Sequence, residues 1–260
     1  MLPRALILHA YGTNRDLEAA HAFELAGAHP DIVPLNELRA GGVRWADYQL
    51  LCLPGGFAYA DALGAGKLFA LDLNVYFADE AKAFVDAGKP VIGMCNGFQA
   101  LVKSGILPDG RPDNTSATTT LTFNASGHFE CRWVTLVAQS QTCVWTRGLT
   151  DPIYCPVAHG EGNYTVIDES LIADLHSQDQ IALVYANPDG FAAKGIYPQN
   201  PNGSIADVAG VCNPKGNVLG LMPHPENHIL PYQHPRWTRG ESGELGLALF
   251  ENGVEYAKHA

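Results

Sequence analysis

The chain begins with a short apolar run, Leu6-Ile7-Leu8, followed by a turn at Gly12-Thr13-Asn14. From Asp16 to Ala28, Leu17, Ala20, Phe23, Glu24 and Leu25 recur near helical spacing, and Gly27 stands where helices commonly end. Ile32-Val33 predicts a second strand, and Tyr48 to Leu53 a third that stops at Pro54-Gly55-Gly56. Leu71 to Ala87 predicts one helix with Val75, Ala78, Ala81 and Val85 on its apolar face. Pro90-Val91-Ile92-Gly93 is a fourth strand, and a helix starts at Gly97 and runs to Lys103. Strand and helix alternating at this spacing predict an α/β fold, with an open, mostly parallel sheet flanked by helices.

The second half has a different texture. Thr118 to Phe123 and Cys131 to Val137 alternate as antiparallel strands do, and Ile153–Val157, Ile181–Tyr185 and Val218–Met222 are further strand candidates. The last helix is predicted over Gly243 to Lys258, with Leu245, Leu249, Phe250 and Val254 inward. Residues 225–242, rich in Pro, His and Arg, read as an extended surface loop. No repeat or linker interrupts the chain, so residues 1–260 are expected to form a single domain.

Composition narrows the function classes. A formal charge of -11, from Asp+Glu 27 against Lys+Arg 16, speaks against nucleic acid as the main partner, because phosphate binding needs clustered cations. The N-terminal apolar run is too short for a signal peptide and ends at His9, and no stretch approaches the roughly 20 apolar residues that span a bilayer. A soluble cytoplasmic protein with no membrane partner is the expectation. The six cysteines, at 52, 95, 131, 143, 155 and 212, show no CxxC spacing. They are expected to be free thiols, and no metal site is expected.

One cysteine stands apart. Val91-Ile92-Gly93-Met94-Cys95-Asn96-Gly97 carries an apolar strand into Gly-x-Cys-x-Gly, the cysteine counterpart of a nucleophile elbow. Both glycines would be needed, since side chains there would collide with neighbouring backbone. The turn would lift the Cys95 sulfur above the sheet at a helix N-terminus, whose dipole favours an anion. The N–H of Asn96 would then face a reacting oxyanion. A bare Gly-x-Cys-x-Gly also fits a structural cysteine between turn glycines, so the downstream residues matter. His224 follows the apolar run Val218–Met222, and strand ends in such sheets are where functional groups gather. Glu226, two residues on, could orient the imidazole of His224 as the third member of a triad. Gly55 and Gly56, at another strand end, could bring backbone amides to the same oxyanion. His21, His228 and His234 lack such support and read as surface or satisfied histidines.

Together these segments resemble the class I, triad-type glutamine amidotransferases, whose fold is a flavodoxin-like α/β sheet. The motifs narrow the likeness to the glutaminase subunits of phosphoribosylformylglycinamidine synthases. They are Gly12-Thr13-Asn14 with Ala20-His21-Ala22-Phe23-Glu24, Leu53-Pro54-Gly55-Gly56-Phe57-Ala58-Tyr59-Ala60-Asp61 and Cys95-Asn96-Gly97-Phe98-Gln99. Further on come Asn124-x-Ser126-Gly127-x-Phe129-Glu130-Cys131-x-Trp133, Ala158-His159-Gly160-Glu161-Gly162 and Met222-Pro223-His224-Pro225-Glu226. The resemblance implies L-glutamine as substrate and ammonia passed to a synthetase subunit of de novo purine synthesis, with a small bridging subunit between them. It implies Cys95 as nucleophile, His224 as base and Glu226 as its partner, with Gly55, Gly56 and Asn96 at the oxyanion hole. It places Gln99 and the Phe129 region where glutamine's α-groups are held, and His159 and Glu161 at the ammonia exit or partner interface. It implies no cofactor in this chain, ATP and Mg being used by the synthetase. The sequence departs from the family pattern at Arg15, Gly64 and Asn163, and in the length of segment 227–242.

Other classes fit less well. A stand-alone γ-glutamyl hydrolase would not share these motifs. A one-cysteine sensor or chaperone-like protein of related fold would lack His224-Pro225-Glu226. A silent binding subunit would not keep all three triad members.

Overall fold

Strands covered on both faces bury every position rather than alternate ones; three of these strands do so along their whole length and a fourth does along all but its two end residues. In the computed structural model, which describes residues 2–109, 118–243 and 245–260, they are β1 (Arg4–His9), β3 (Leu50–Leu53), β4 (Val91–Met94) and β11 (Val218–Leu221). Met1, at the start of the N-terminal run, and Glu244, inside the last predicted helix, lie outside the described residues. In β3, Leu50 and Cys52 face one core while Leu51 and Leu53 face the other. Helices α1 (Asp16–Leu25) and α7 (Leu247–Ala257) cover the first core, and α3 (Lys67–Tyr76), α4 (Ala78–Asp86) and α5 (Asn96–Lys103) the second.

With β2 (His29–Pro34) at the edge, the parallel half runs β2-β1-β3-β4-β11. The sheet then continues antiparallel through β10 (Val208–Cys212), β9 (Ile181–Ala186), β6 (Glu130–Ala138) and β7 (Ile153–His159). A separate pair joins β5 (Thr119–Thr122) to β8 (Asn163–Val166), antiparallel. The α/β architecture predicted from the sequence is present as a mixed sheet flanked by helices, with four parallel pairings and four antiparallel ones, so the antiparallel share is larger than the expected mostly parallel sheet. Neither β8 nor β10 is legible beforehand, nor are the short α2 (Leu35–Arg39) and α6 (Ser170–Ser177).

Three expectations are corrected. The helix predicted over Leu71–Ala87 is two helices, because Phe77 leaves helical geometry at φ −133° and turns its ring onto Trp45, centroids 5.7 Å apart. Asp79 and Glu80 then stand in the first turn of α4, where the helix dipole favours them. Val75, predicted inward, is exposed; Phe69, Ala70 and Leu73 make the buried face of α3. The last helix starts at Leu247, so Leu245 precedes it. Residues 225–242 are not simply a surface loop. They form 3-10 turns at Pro225–Asn227, Pro231–Gln233 and Trp237–Arg239 that bury Glu226, His228, Ile229 and His234. His228 is satisfied by the carbonyls of Tyr154 and Ser242, and Trp133, Tyr154 and His234 surround its ring.

Trp145, fully buried, anchors the outer face of the first core against Phe23 and α7. Gly253 of α7 leaves room for it, since a Cβ there would lie 2.1 Å from the indole. Truncating such a residue to alanine costs about 3–5 kcal/mol.

Candidate active site

Three adjacent parallel strands end on one rim. Register pairs Leu53 of β3 with Gly93 of β4, and Met94 of β4 with Leu221 of β11. Residues just beyond these ends therefore lie side by side, and they are Gly55-Gly56, Cys95 and His224. The amide of Cys95 donates to the carbonyl of Leu221 at 2.8 Å, tying the elbow to the strand that delivers His224.

Cys95 has φ 48° and ψ −103°, a strained conformation for a residue with a side chain. The elbow glycines make it possible. A Cβ on Gly97 would lie 1.9 Å from the carbonyl oxygen of Leu53, and one on Gly93 would lie 2.9 Å from the backbone of Gly97. The sulfur is buried, lies 3.7 Å from the carbonyl of Ala158, and is close enough for its charge to act on His224.

His224 Nδ1 donates to Glu226 Oε1 at 2.6 Å, which leaves Nε2 for the thiol. The 3-10 turn at Pro225 brings Glu226 back under the ring, and the amide of His224 is fixed to the carbonyl of Pro156 in β7 at 2.8 Å. Burial pushes the imidazole down, but the charges of Glu226 and Cys95 outweigh it and raise its pKa to about 10. Cys52 and Cys155 also lie near Glu226. Burial first, then that carboxylate, holds both thiols well above the usual range, so they stay protonated.

Gly55 packs directly against the base, and a Cβ there would meet His224 Cε1 at 2.7 Å. Gly56, at φ 140°, crosses Thr13 and Asn14 just as closely. Asn96 opens α5, so its N–H has no intrahelical acceptor and is available to an oxyanion. Its side chain is a brace: Oδ1 accepts from Ala58 N–H at 3.2 Å, while Nδ2 donates to Asp61 and Gln99 at 3.1 and 3.0 Å.

Gln99 is buried, and both ends of its amide are engaged, the second by donation to the carbonyl of Glu161 at 2.7 Å. Phe129 is half exposed and stacks on Phe57 with centroids 6.4 Å apart. His159 is buried rather than surface-facing, and Glu161 accepts from the amide of Ala65 and pairs with Lys103 at 3.5 Å. The segment between them and the elbow is unusual: Tyr59, Ala60 and Asp61 hold φ of 56°, 54° and 52° in succession. Asn124 is a hub that sequence reasoning quoted only as part of a motif. Its Nδ2 donates to the carbonyls of His128 and His159, and its Oδ1 accepts from His159 Nδ1 and Gly162 N–H.

Residues 2–257 match the CobB/CobQ-like glutamine amidotransferase domain. The phosphoribosylformylglycinamidine synthase subunit PurQ of Treponema denticola is 53% identical over 268 residues, spanning 98% of this chain and 99% of its own. The chain belongs to the PurQ family of glutamine amidotransferases. A second PurQ, from Dehalococcoides mccartyi, is 43% identical over 98% of both chains. Among solved structures, PurLQS from Thermotoga maritima superposes with a TM-score of 0.74 at 32% identity, covering 98% of this chain and 99% of that one. This PurQ-family chain keeps the family fold around Arg15, which packs beside Gly55, with its Cγ 3.5 Å from where a Cβ on Gly55 would be, and pairs with Glu18 at 2.8 Å.

Proposed function

We propose that the chain is the glutaminase subunit of phosphoribosylformylglycinamidine synthase, hydrolysing L-glutamine through Cys95 and delivering ammonia to a synthetase subunit. The observation that carries this is the convergence of Cys95 and the His224–Glu226 pair at adjacent parallel strand ends, with the imidazole oriented at 2.6 Å. The likeness to PurQ proteins and to a PurLQS assembly supports the synthetase and a small third chain as partners.

The Cys95 thiolate attacks the δ-carbonyl of glutamine, and the amides near Gly55, Gly56 and Asn96 hold the tetrahedral oxyanion. The raised pKa of His224 fits its next task, protonating the departing nitrogen. Water activated by the same histidine then hydrolyses the thioester. Phe129 forms one wall at the mouth where the α-groups of glutamine sit. Gln99, tied to Asn96 and the Glu161 carbonyl, belongs with Phe129 to the glutamine-binding residues, and His159 and Glu161 line the ammonia exit. The half-reaction uses no metal or organic cofactor, ATP and Mg serving the synthetase. One domain, residues 1–260, working in the cytoplasm without membrane or nucleic acid, completes the reading. Among the described residues, no helix is long and apolar enough to cross a membrane.

The test is glutamate release by the purified chain, alone and with the synthetase and its nucleotide substrates, for wild type and Cys95→Ser. Activity that rises with partner and vanishes in the variant is expected. High activity indifferent to partner would overturn the assignment in favour of a free-standing hydrolase.

A further inference from the structure

One ring nitrogen beside the triad, His159 Nε2, is buried and has no hydrogen-bond partner among the described residues. An orphaned buried acceptor costs about 1–3 kcal/mol unless something occupies it in the working state. The ring cannot turn to find one. Asn124 Nδ2 donates to two carbonyls, of His128 and His159 at 2.8 Å each, which fixes its oxygen toward His159 Nδ1 at 3.0 Å. Nδ1 therefore carries the proton, and Nε2 presents a bare lone pair. Below the ring lies Gly162, where a Cβ would come within 2.5 Å of Cε1 and Nδ1. His159 ends the strand that holds both reacting groups, since the carbonyl of Pro156 in β7 accepts from the His224 amide at 2.8 Å and that of Ala158 lies 3.7 Å from the Cys95 sulfur, and it feels the charge of His224. Burial, with that charge adding, pushes its pKa down to about 3, so the ring stays neutral.

Resting on the glutaminase reading, we propose that His159 Nε2 accepts an N–H of the substrate's leaving carboxamide nitrogen and is the first station of the ammonia it becomes. When the tetrahedral intermediate collapses, the C–N bond breaks and its electron pair stays on nitrogen. That nitrogen takes the proton from the His224 imidazolium, the thioester carbonyl re-forms, and neutral NH3 departs hydrogen-bonded to Nε2. A neutral imidazole whose only proton is held on Nδ1 by Asn124 suits this station. Its Nε2 holds an N–H donor yet has no proton of its own to convert ammonia into non-nucleophilic ammonium.

Two substitutions separate this from a scaffold role. His159→Asn keeps a donor where Nδ1 meets Asn124 but deletes the acceptor at Nε2. His159→Gln does the reverse. In the complex with the synthetase, His159→Asn should lower kcat for glutamate release roughly tenfold with KM little changed. It should also yield less synthetase product per glutamate, while His159→Gln stays near wild type in both. Ammonium-driven synthesis, which bypasses this chain, measures the competence of the partner. Greater loss in His159→Gln, equal loss in both, or no loss in either would overturn the proposal. Failure of the glutaminase reading is distinguishable, because it would show as no glutamate release from wild type or none lost in Cys95→Ser.

Discussion

In the parallel half of the sheet, each of three neighbouring strands ends in a piece of chemistry: an amide-rich turn after β3, a strained nucleophile after β4, a base and its orienter after β11. In the antiparallel half, β7 contributes acceptors instead. The carbonyl of Pro156 fixes the base, that of Ala158 faces the Cys95 sulfur, and His159 offers a lone pair. One half supplies the reacting groups and the other holds them in place. Losses from the first should then be large and kinetic, and losses from the second smaller and mixed with stability.

The largest expected effect is that of Cys95→Ser, a drop in glutamine turnover on the order of 10⁵-fold with the fold retained by circular dichroism. Next is Glu226→Gln. It should leave His224 in place but reduce kcat by on the order of 10³- to 10⁴-fold, as for the third member of comparable triads. It should also change the pH dependence of stability. The pKa of His224 is raised in the folded chain to about 10, so the proton it holds stabilises the fold fully below its ordinary value. That contribution fades as pH rises from about 6.5 through about 10. Thermal melts across this window should fall for wild type and flatten for Glu226→Gln. A wild-type curve level over the window would contradict the ion pair.

The same contrast explains what was legible in the sequence. Helices and strands of the parallel half alternate locally, so apolar runs and glycine stops point to β1, β3, β4 and β11. The elbow is readable because its geometry forces both glycines within five residues. The break at Phe77 is not, because it depends on a ring packing against Trp45, 32 positions away. Nor is β10, which is defined by pairing between β9 and β11 and carries a register irregularity at Gly210. In the site, the triad could be named from its neighbours in sequence. The brace from Asn96 to Asp61 and the hub at Asn124 join residues 35 to 38 positions apart through amide side chains, and no local pattern announces such bonds.

Gly97→Ala probes the close approach on which the parallel half depends. The new Cβ would fall 1.9 Å from the Leu53 carbonyl, backbone that cannot yield, and urea denaturation should show a loss of about 3 kcal/mol. Gly148, in the antiparallel half after β6, is the control. It has nothing within 4 Å of a Cβ and only its φ of 75° to oppose a side chain, so Gly148→Ala should cost about 1 kcal/mol. Equal losses would mean that chain conformation, rather than crowding at the elbow, sets the cost.

Asn124→Ala carries the smallest expected effect on turnover among the site variants and is the sharpest test of the division of labour. It deletes two donors to main-chain carbonyls and the acceptor shared by His159 Nδ1 and Gly162 N–H. Leaving those groups to find water should cost about 2 kcal/mol in unfolding free energy, while Cys95 and His224, held by β4 and β11, keep their places. The imidazole of His159 loses the bond that fixes its tautomer, and a proton on Nε2 would replace the lone pair with a donor. Glutamate release should therefore fall several-fold, on the order of one lost hydrogen bond, and not by the thousands expected at the triad. A triad-sized loss would place Asn124 among the reacting groups, and the antiparallel half would then do more than hold them.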